Sequence, residues 1–134
     1  MTLIRWADFP NLGDDRGSLV AVEASMIIPF DIKRVYYLYN TKSDVTRGLH
    51  AHKALKQVMI CIVGSCQVTL DDGRSRETAL LNSPYRGLLV EGMLWREMYD
   101  FSRDCVLLVA ASELYDEGDY VRDYQSFLSM TSNA

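Results

Sequence analysis

The chain contains only two histidines, His50 and His52, and they flank Ala51. In an extended segment, residues two apart project to one face, so both imidazoles point the same way. A pair of this kind has three readings: metal ligation, proton transfer near neutral pH, or plain packing and solvation. The neighbourhood reads Arg47-Gly48-Leu49-His50-Ala51-His52-Lys53 and adds a guanidinium close by in sequence. A second extended segment, Lys33-Arg34-Val35-Tyr36-Tyr37, offers a phenol and another guanidinium. Strand parity groups Arg34 with Tyr36, and Val35 with Tyr37 and Tyr39. An unpaired Arg in an apolar layer is costly, so Arg34 and Tyr36 are expected to face a cavity. Tyr37 and Tyr39 read as core or dimer packing. If proton transfer is the role, it wants a base near neutral pKa, which His supplies, and Tyr36, Arg47 and His52 are available by type as donors or cations for a developing anion. Arg47 is also expected to hold the His50 pKa below its ordinary value. An anionic ligand would call for forked Arg contacts.

Short strands between turns must position these groups. Residues 17–23, 32–39, 57–63, 66–70, 77–81, 87–90 and 105–111 read as strands. Gly64-Ser65 reads as the turn of a hairpin joining 57–63 to 66–70. Asp71-Asp72-Gly73 and Asn82-Ser83-Pro84 mark further turns. The near-continuous apolar run at 105–111 suits a strand buried on both faces. Strands at this spacing suggest a sandwich or barrel. A helix follows near the end, with Asp119 as N-cap and Tyr120, Tyr124, Phe127 and Leu128 at helical spacing. Its apolar stripe is expected to dock on the barrel.

At 134 residues, with 49% apolar residues and a net charge of -4, the chain fits one domain spanning 1–134. That size folds without a disulfide or structural metal. The pI of about 5.1 excludes a general nucleic-acid binder. No apolar run approaches the roughly 18 residues of a membrane span. Residues 1–10 lack a basic stretch followed by an apolar core, so a cytoplasmic protein is expected. Cys61, Cys66 and Cys105 include no C-x-x-C pair and read as reduced, structural thiols.

His-x-His on a barrel strand resembles the first cupin motif. Gln57 stands where that motif carries a Glu ligand, and Gly64 sits at its Gly position. The later motif, which supplies another histidine, reads Gly92-Met93-Leu94-Trp95-Arg96 here. Two imidazoles and an amide make a poor divalent site, so no metal is expected and acid–base work is favoured. There is no Gly-x-Gly-x-x-Gly and no P-loop, so no other cofactor is signalled.

Further motifs occur in order: Asp15-Arg16-Gly17-Ser18-Leu19, Ile28-Pro29-Phe30, Gly64-Ser65-Cys66, Leu70-Asp71-Asp72-Gly73, Trp95-Arg96-Glu97-Met98, Asp100-Phe101-Ser102 and Tyr115-Asp116-Glu117-Gly118-Asp119-Tyr120. With the segments around Tyr36 and His50, they resemble the dTDP-4-keto-6-deoxyglucose 3,4-ketoisomerases. The resemblance implies an all-β, cupin-type jelly-roll barrel with a short C-terminal helix, assembled as a homodimer. It implies an isomerase of deoxysugar biosynthesis that moves a ketone from C4 to C3 of a dTDP-linked 4-keto-6-deoxyhexose through an enediolate. By resemblance His50 is the C3 base, with His52 and Tyr36 as further catalytic groups. Arg16, Arg34, Arg47 and Arg96 are expected to bind substrate. Many relatives carry His where Arg96 stands, which leaves the C4 configuration of the product, galacto or gluco, open. The alternatives are a dTDP-sugar 3,5-epimerase-like enzyme and a non-catalytic sugar-nucleotide-binding cupin.

Overall fold

The computed structural model describes residues 2–24 and 27–132. Within them the chain forms β1 (Arg5–Asp8), β2 (Arg34–Leu38), β3 (Arg47–His52), β4 (Gln57–Val63), β5 (Cys66–Asp71), β6 (Arg76–Leu81), β7 (Arg86–Val90), β8 (Trp95–Tyr99), β9 (Val106–Ala111), β10 (Tyr120–Val121) and one α-helix, α1 (Tyr124–Ser132). One antiparallel sheet has the order β1-β7-β4-β9-β2, and the other β10-β3-β8-β5-β6. They pack face to face as a jelly-roll-like sandwich. Period-two alternation sorts the side chains. Met59 and Cys61 of β4 point between the sheets, among Val68, Leu70, Leu88 and Leu107. Val58 and Ile60 point to the opposite face of their sheet, where Phe9, Ile28 and Phe30 cover them. Strand β4 is therefore buried on both faces, as its unbroken apolar run requires. Each fully buried aliphatic side chain contributes roughly 1.5–3 kcal/mol.

Three expectations are corrected. First, β4 and β5 do not form a hairpin. Strand β4 lies between β7 and β9, and β5 between β6 and β8. Each has a neighbour on both sides in its own sheet, so Gly64-Ser65 carries the chain across the sandwich. Gly64 has φ 75, and a Cβ there would lie 2.2 Å from Ser102 Oγ. The link is pinned by Ser65 N–H donating to Ser102 Oγ at 2.9 Å and Ser102 N–H donating to the Ser65 carbonyl at 2.8 Å.

Second, residues 17–23 are not a sheet strand. The turn is real: Asp14 and Gly17 form a bridge. Val20 and Val22 then pack against the outer face of the first sheet, so burial there comes from layering instead of strand pairing. Third, α1 starts after Asp123, whose carboxylate accepts from Ser126 N–H at 2.9 Å. Asp119 is drawn to β3 instead, and Tyr120 belongs to β10. Helix α1 docks as expected, with Phe127 buried against Trp95 and Val121 on the second sheet. Among the described residues no helix is long and apolar enough to cross a membrane.

Candidate active site

A bulge in β3 phases the site. Gly48 pairs with Glu97 and His50 with Arg96, so Leu49 is the extra residue. Gly48 and Leu49 both have positive φ, 86 and 57. A Cβ on Gly48 would lie 2.9 Å from the Arg96 carbonyl oxygen, which is why glycine stands there. Leu49 in the left-handed region costs roughly 1 kcal/mol. Three residues apart on a regular strand, Arg47 and His50 would face opposite ways; the bulge restores them to one side. His50 and His52 lie beyond it and keep normal alternation.

The two imidazoles have different partners. His50 Nδ1 is 2.9 Å from the Gly48 carbonyl oxygen. A carbonyl only accepts, so Nδ1 carries the proton and Nε2 is left as an acceptor. His52 Nδ1 is 3.1 Å from Asp119 Oδ2. Asp119 also accepts from the backbone N–H groups of Ala54 and Leu55, at 2.8 and 3.3 Å. The two imidazole rings meet edge-on at 4.8 Å, and Tyr120 lies against both. Burial, then the charge of Arg96, pushes the His50 pKa down to about 4, against the Gly48 carbonyl, which raises it. Burial, Arg96 and His50 push His52 to about 3, with Asp119 opposing. The main cationic influence on His50 is thus Arg96, in place of the expected Arg47.

Arg96 is 1% exposed. Its Nη1 donates to Gln57 Oε1, its Nη2 to the Leu94 carbonyl at 2.9 Å, and its Nε has no partner. Burial lowers its pKa to about 10, so it stays a cation at neutral pH. A guanidinium only donates, which fixes the Gln57 amide. Gln57 Nε2 then donates to the Tyr36 hydroxyl at 2.8 Å. Tyr36 accepts that bond, so its own O–H is free to donate elsewhere. Burial raises the Tyr36 pKa, which keeps the phenol protonated. The donor set does not fit a divalent metal ion: the amide at the ligand position is engaged by Arg96, and that cation repels another.

His50, Tyr36, Arg34 and Arg47 line one cleft of about 510 Å³, with Tyr120 and Arg122. The structure brings these four residues together around one space. His52 lies on a neighbouring hollow of about 350 Å³ with Asp119 and Tyr115, and Arg34 and Tyr120 border both spaces. The Arg34 guanidinium stands 5.3 Å from the Tyr36 ring centre and 5.8 Å from that of Tyr115. Its Nε is buried without a hydrogen-bond partner. Two expected substrate contacts lie elsewhere. Arg96 is sealed beneath the cleft and lines neither space. The Arg16 side chain is 87% exposed on its turn, bound to Asp14 at 2.6 Å.

Asp119, Tyr120 and Arg122 were not legible as site residues. Arg122 stacks on Tyr120 at 4.0 Å and pairs with Glu117 at 2.7 Å. The one signal was that Asp119 and Tyr120 sit inside a family-like motif that the helix reading absorbed.

Residues 2–132 match the FdtA family, described as WxcM-like, C-terminal. A TDP-4-oxo-6-deoxy-alpha-D-glucose-3,4-oxoisomerase from Aneurinibacillus thermoaerophilus is 53% identical over 120 residues, covering 90% of this chain and 86% of the relative. A 3,4-ketoisomerase from Helicobacter canadensis superposes with a TM-score of 0.93 at 48% identity, over 96% of this chain and 97% of that one. A His-to-Asn variant of the 3,4-ketoisomerase QdtA from Thermoanaerobacterium thermosaccharolyticum, in complex with TDP-4-keto-6-deoxyglucose, gives 0.95 at 41% identity, over 99% and 96%. The chain therefore belongs to the FdtA family, a cupin-fold family of sugar-nucleotide 3,4-ketoisomerases, and is an isomerase.

Proposed function

We propose that this chain converts TDP-4-keto-6-deoxyglucose to the 3-keto sugar, with His50 as the base and no metal. The observation that carries this reading is the free Nε2 of His50 in an Arg-lined cleft, with Nδ1 tied to the Gly48 carbonyl. His50 Nε2 takes the C3 proton. The C3–H electrons form the C3–C4 double bond, and O4 takes the negative charge. O3 then loses its proton as the C3 carbonyl forms, O4 gains one, and C4 receives a proton. The Tyr36 hydroxyl donates to the enediolate oxygen. Arg96 stabilises the same charge through a low-dielectric medium without touching the ligand. His52, its tautomer held by Asp119, orients His50 or relays its proton. Arg34 and Arg47 hold the diphosphate. Arg16 stays outside this assignment, since its guanidinium is bound to Asp14 on an exposed turn.

A homodimer belongs to the same reading. Strand β2 is a sheet edge, and Val35, Tyr37 and Tyr39 are exposed at 55%, 61% and 62%. Light scattering is expected to return twice the chain mass.

Proton NMR of TDP-4-keto-6-deoxyglucose incubated with the protein in D2O tests the reaction. The ketone is expected to move to C3 with deuterium entering at C4. Exchange at C3 and C5 without ketone movement would make the protein an epimerase. An unchanged spectrum with bound ligand would make it a binding module.

A further inference from the structure

A second cluster of chemically capable side chains is left unused by the isomerase reading. Cys61 in β4, Cys66 at the start of β5 and Cys105 just before β9 bring their Sγ atoms within 4.8 Å of one another. The Cys61 and Cys105 sulfurs are 3.5 Å apart. All three are free thiols, and none is more than 3% exposed. The spacing in sequence reads them as unrelated core residues; the crossing at Gly64-Ser65 unites them from both sheets.

The backbone at this cluster is held in place. The Ser65–Ser102 pair of hydrogen bonds ties the chain entering Cys66 to the turn before Cys105. Cys105 N–H donates to the Ser102 carbonyl at 3.1 Å. Gly64 lets the two turns approach. The three sulfurs therefore stand on preformed strand ends rather than on flexible arms.

We propose that Cys61, Cys66 and Cys105 form a three-sulfur binding site for a soft d10 cation, Cu+ or Zn2+. Metal–sulfur bonds of about 2.3 Å place three sulfurs around a trigonal ion about 4 Å apart. The Cys61–Cys105 spacing of 3.5 Å and the 4.8 Å limit on all three lie within about 1 Å of that figure, so binding needs only small shifts. Thiolates select soft ions. Zn2+ usually takes four ligands, and its fourth would be water. The cluster sits among Phe101, Leu81 and Leu107, which keep water out, so Cu+ in trigonal coordination fits better. Each thiol that becomes a thiolate gives its proton to solvent on binding. The site is separate from the chemistry: Cys61 lies four residues beyond Gln57 on β4, about 13 Å along the strand.

The test is titration of the reduced full chain with Cu+ against bathocuproine disulfonate, and with Zn2+ against 4-(2-pyridylazo)resorcinol. One equivalent of Cu+ per chain is expected to leave the chelator, with Zn2+ held more weakly. Cys66→Ala should weaken Cu+ capture at least 100-fold while ketone transfer persists, which shows that the variant is folded. Capture of neither ion, or equal capture by Cys66→Ala, overturns the proposal. Should that variant fail to fold, 113Cd NMR of the unaltered protein decides. A resonance in the three-sulfur range supports the site, and one in the oxygen or nitrogen range overturns it.

Discussion

His50 and His52 share one strand face, yet they live in different surroundings. His50 borders the wider cleft and ties its Nδ1 to a backbone carbonyl of its own strand. His52 is 2% exposed, faces the smaller hollow, and ties its Nδ1 to Asp119, which is 67 residues away in sequence. Spacing set the direction of both rings, but the partner of each sets its surroundings, and the roles proposed above rest on that difference. An imidazole held by a carbonyl beside an open cleft is placed to take a proton from a ligand. One sealed behind it and held by a carboxylate is placed to support its neighbour.

The largest effect should come from breaking that division of labour. His50→Asn is expected to keep TDP binding while kcat falls by roughly 10²-fold or more, the scale of general-base catalysis. Deuterium should also stop entering C3. A dead His52→Asn beside a His50→Asn that still exchanges C3 would reverse the two roles.

With the ligand in the cleft, as proposed, Arg34→Ala should raise KM about tenfold or more with kcat little changed. That is the pattern of binding shared by ground and transition states, at the strength of a charged hydrogen bond. Calorimetry with TDP reads the same loss. Unchanged affinity in both Arg34→Ala and Arg47→Ala would move the diphosphate elsewhere.

Arg96 acts on both rings, and its replacement sharpens the contrast. Arg96→His removes a fixed cation and frees the Gln57 amide. The C4 configuration of the product, or the ratio of the two epimers, is expected to change. The wild-type epimer formed at the wild-type rate would make Arg96 a bystander.

The smallest effect is in pH dependence. Both imidazoles titrate below their ordinary 6.5, His50 at about 4 and His52 at about 3. The unfolded chain therefore binds more protons than the folded one as pH falls below 6.5. This stabilisation is fully present above 6.5 and is lost as pH falls toward 4. Thermal midpoints followed from pH 7.5 to 4.5 should drop more in the wild type than in the His50→Asn/His52→Asn double variant. An equal drop would place the acid sensitivity elsewhere. The acid limb of kcat/KM should likewise lie well below 6.5.

What could be read from the sequence was whatever depends on local periodicity. Gln57–Val63 is a strand with the expected bounds, because its apolar run and flanking turns are local signals. Arg34 and Tyr36 face inward because alternation is local too. The pairing of strands was not legible. Gly64-Ser65 has hairpin chemistry, yet each strand it joins gains two flanking partners by going its separate way. Asp119 shows the same limit. A capping residue and a histidine partner look alike until the fold decides which donors reach it. Arg96 was recognised as unusual, but its complete burial goes with Gln57, which β4 brings from 39 residues away, and with the Leu94 carbonyl in the turn before its own strand.

The bulge at Leu49 also has a consequence for comparing this chain with distant relatives. It acts as a one-residue phase shift, so a deletion between Arg47 and His50 would leave both histidines where they are and turn the arginine outward. A gap there in a related sequence would look trivial by length and would still change which side of the sheet holds the positive charge. Retention of that extra residue, more than retention of an arginine by name, marks the sequences that keep this guanidinium on the cleft side.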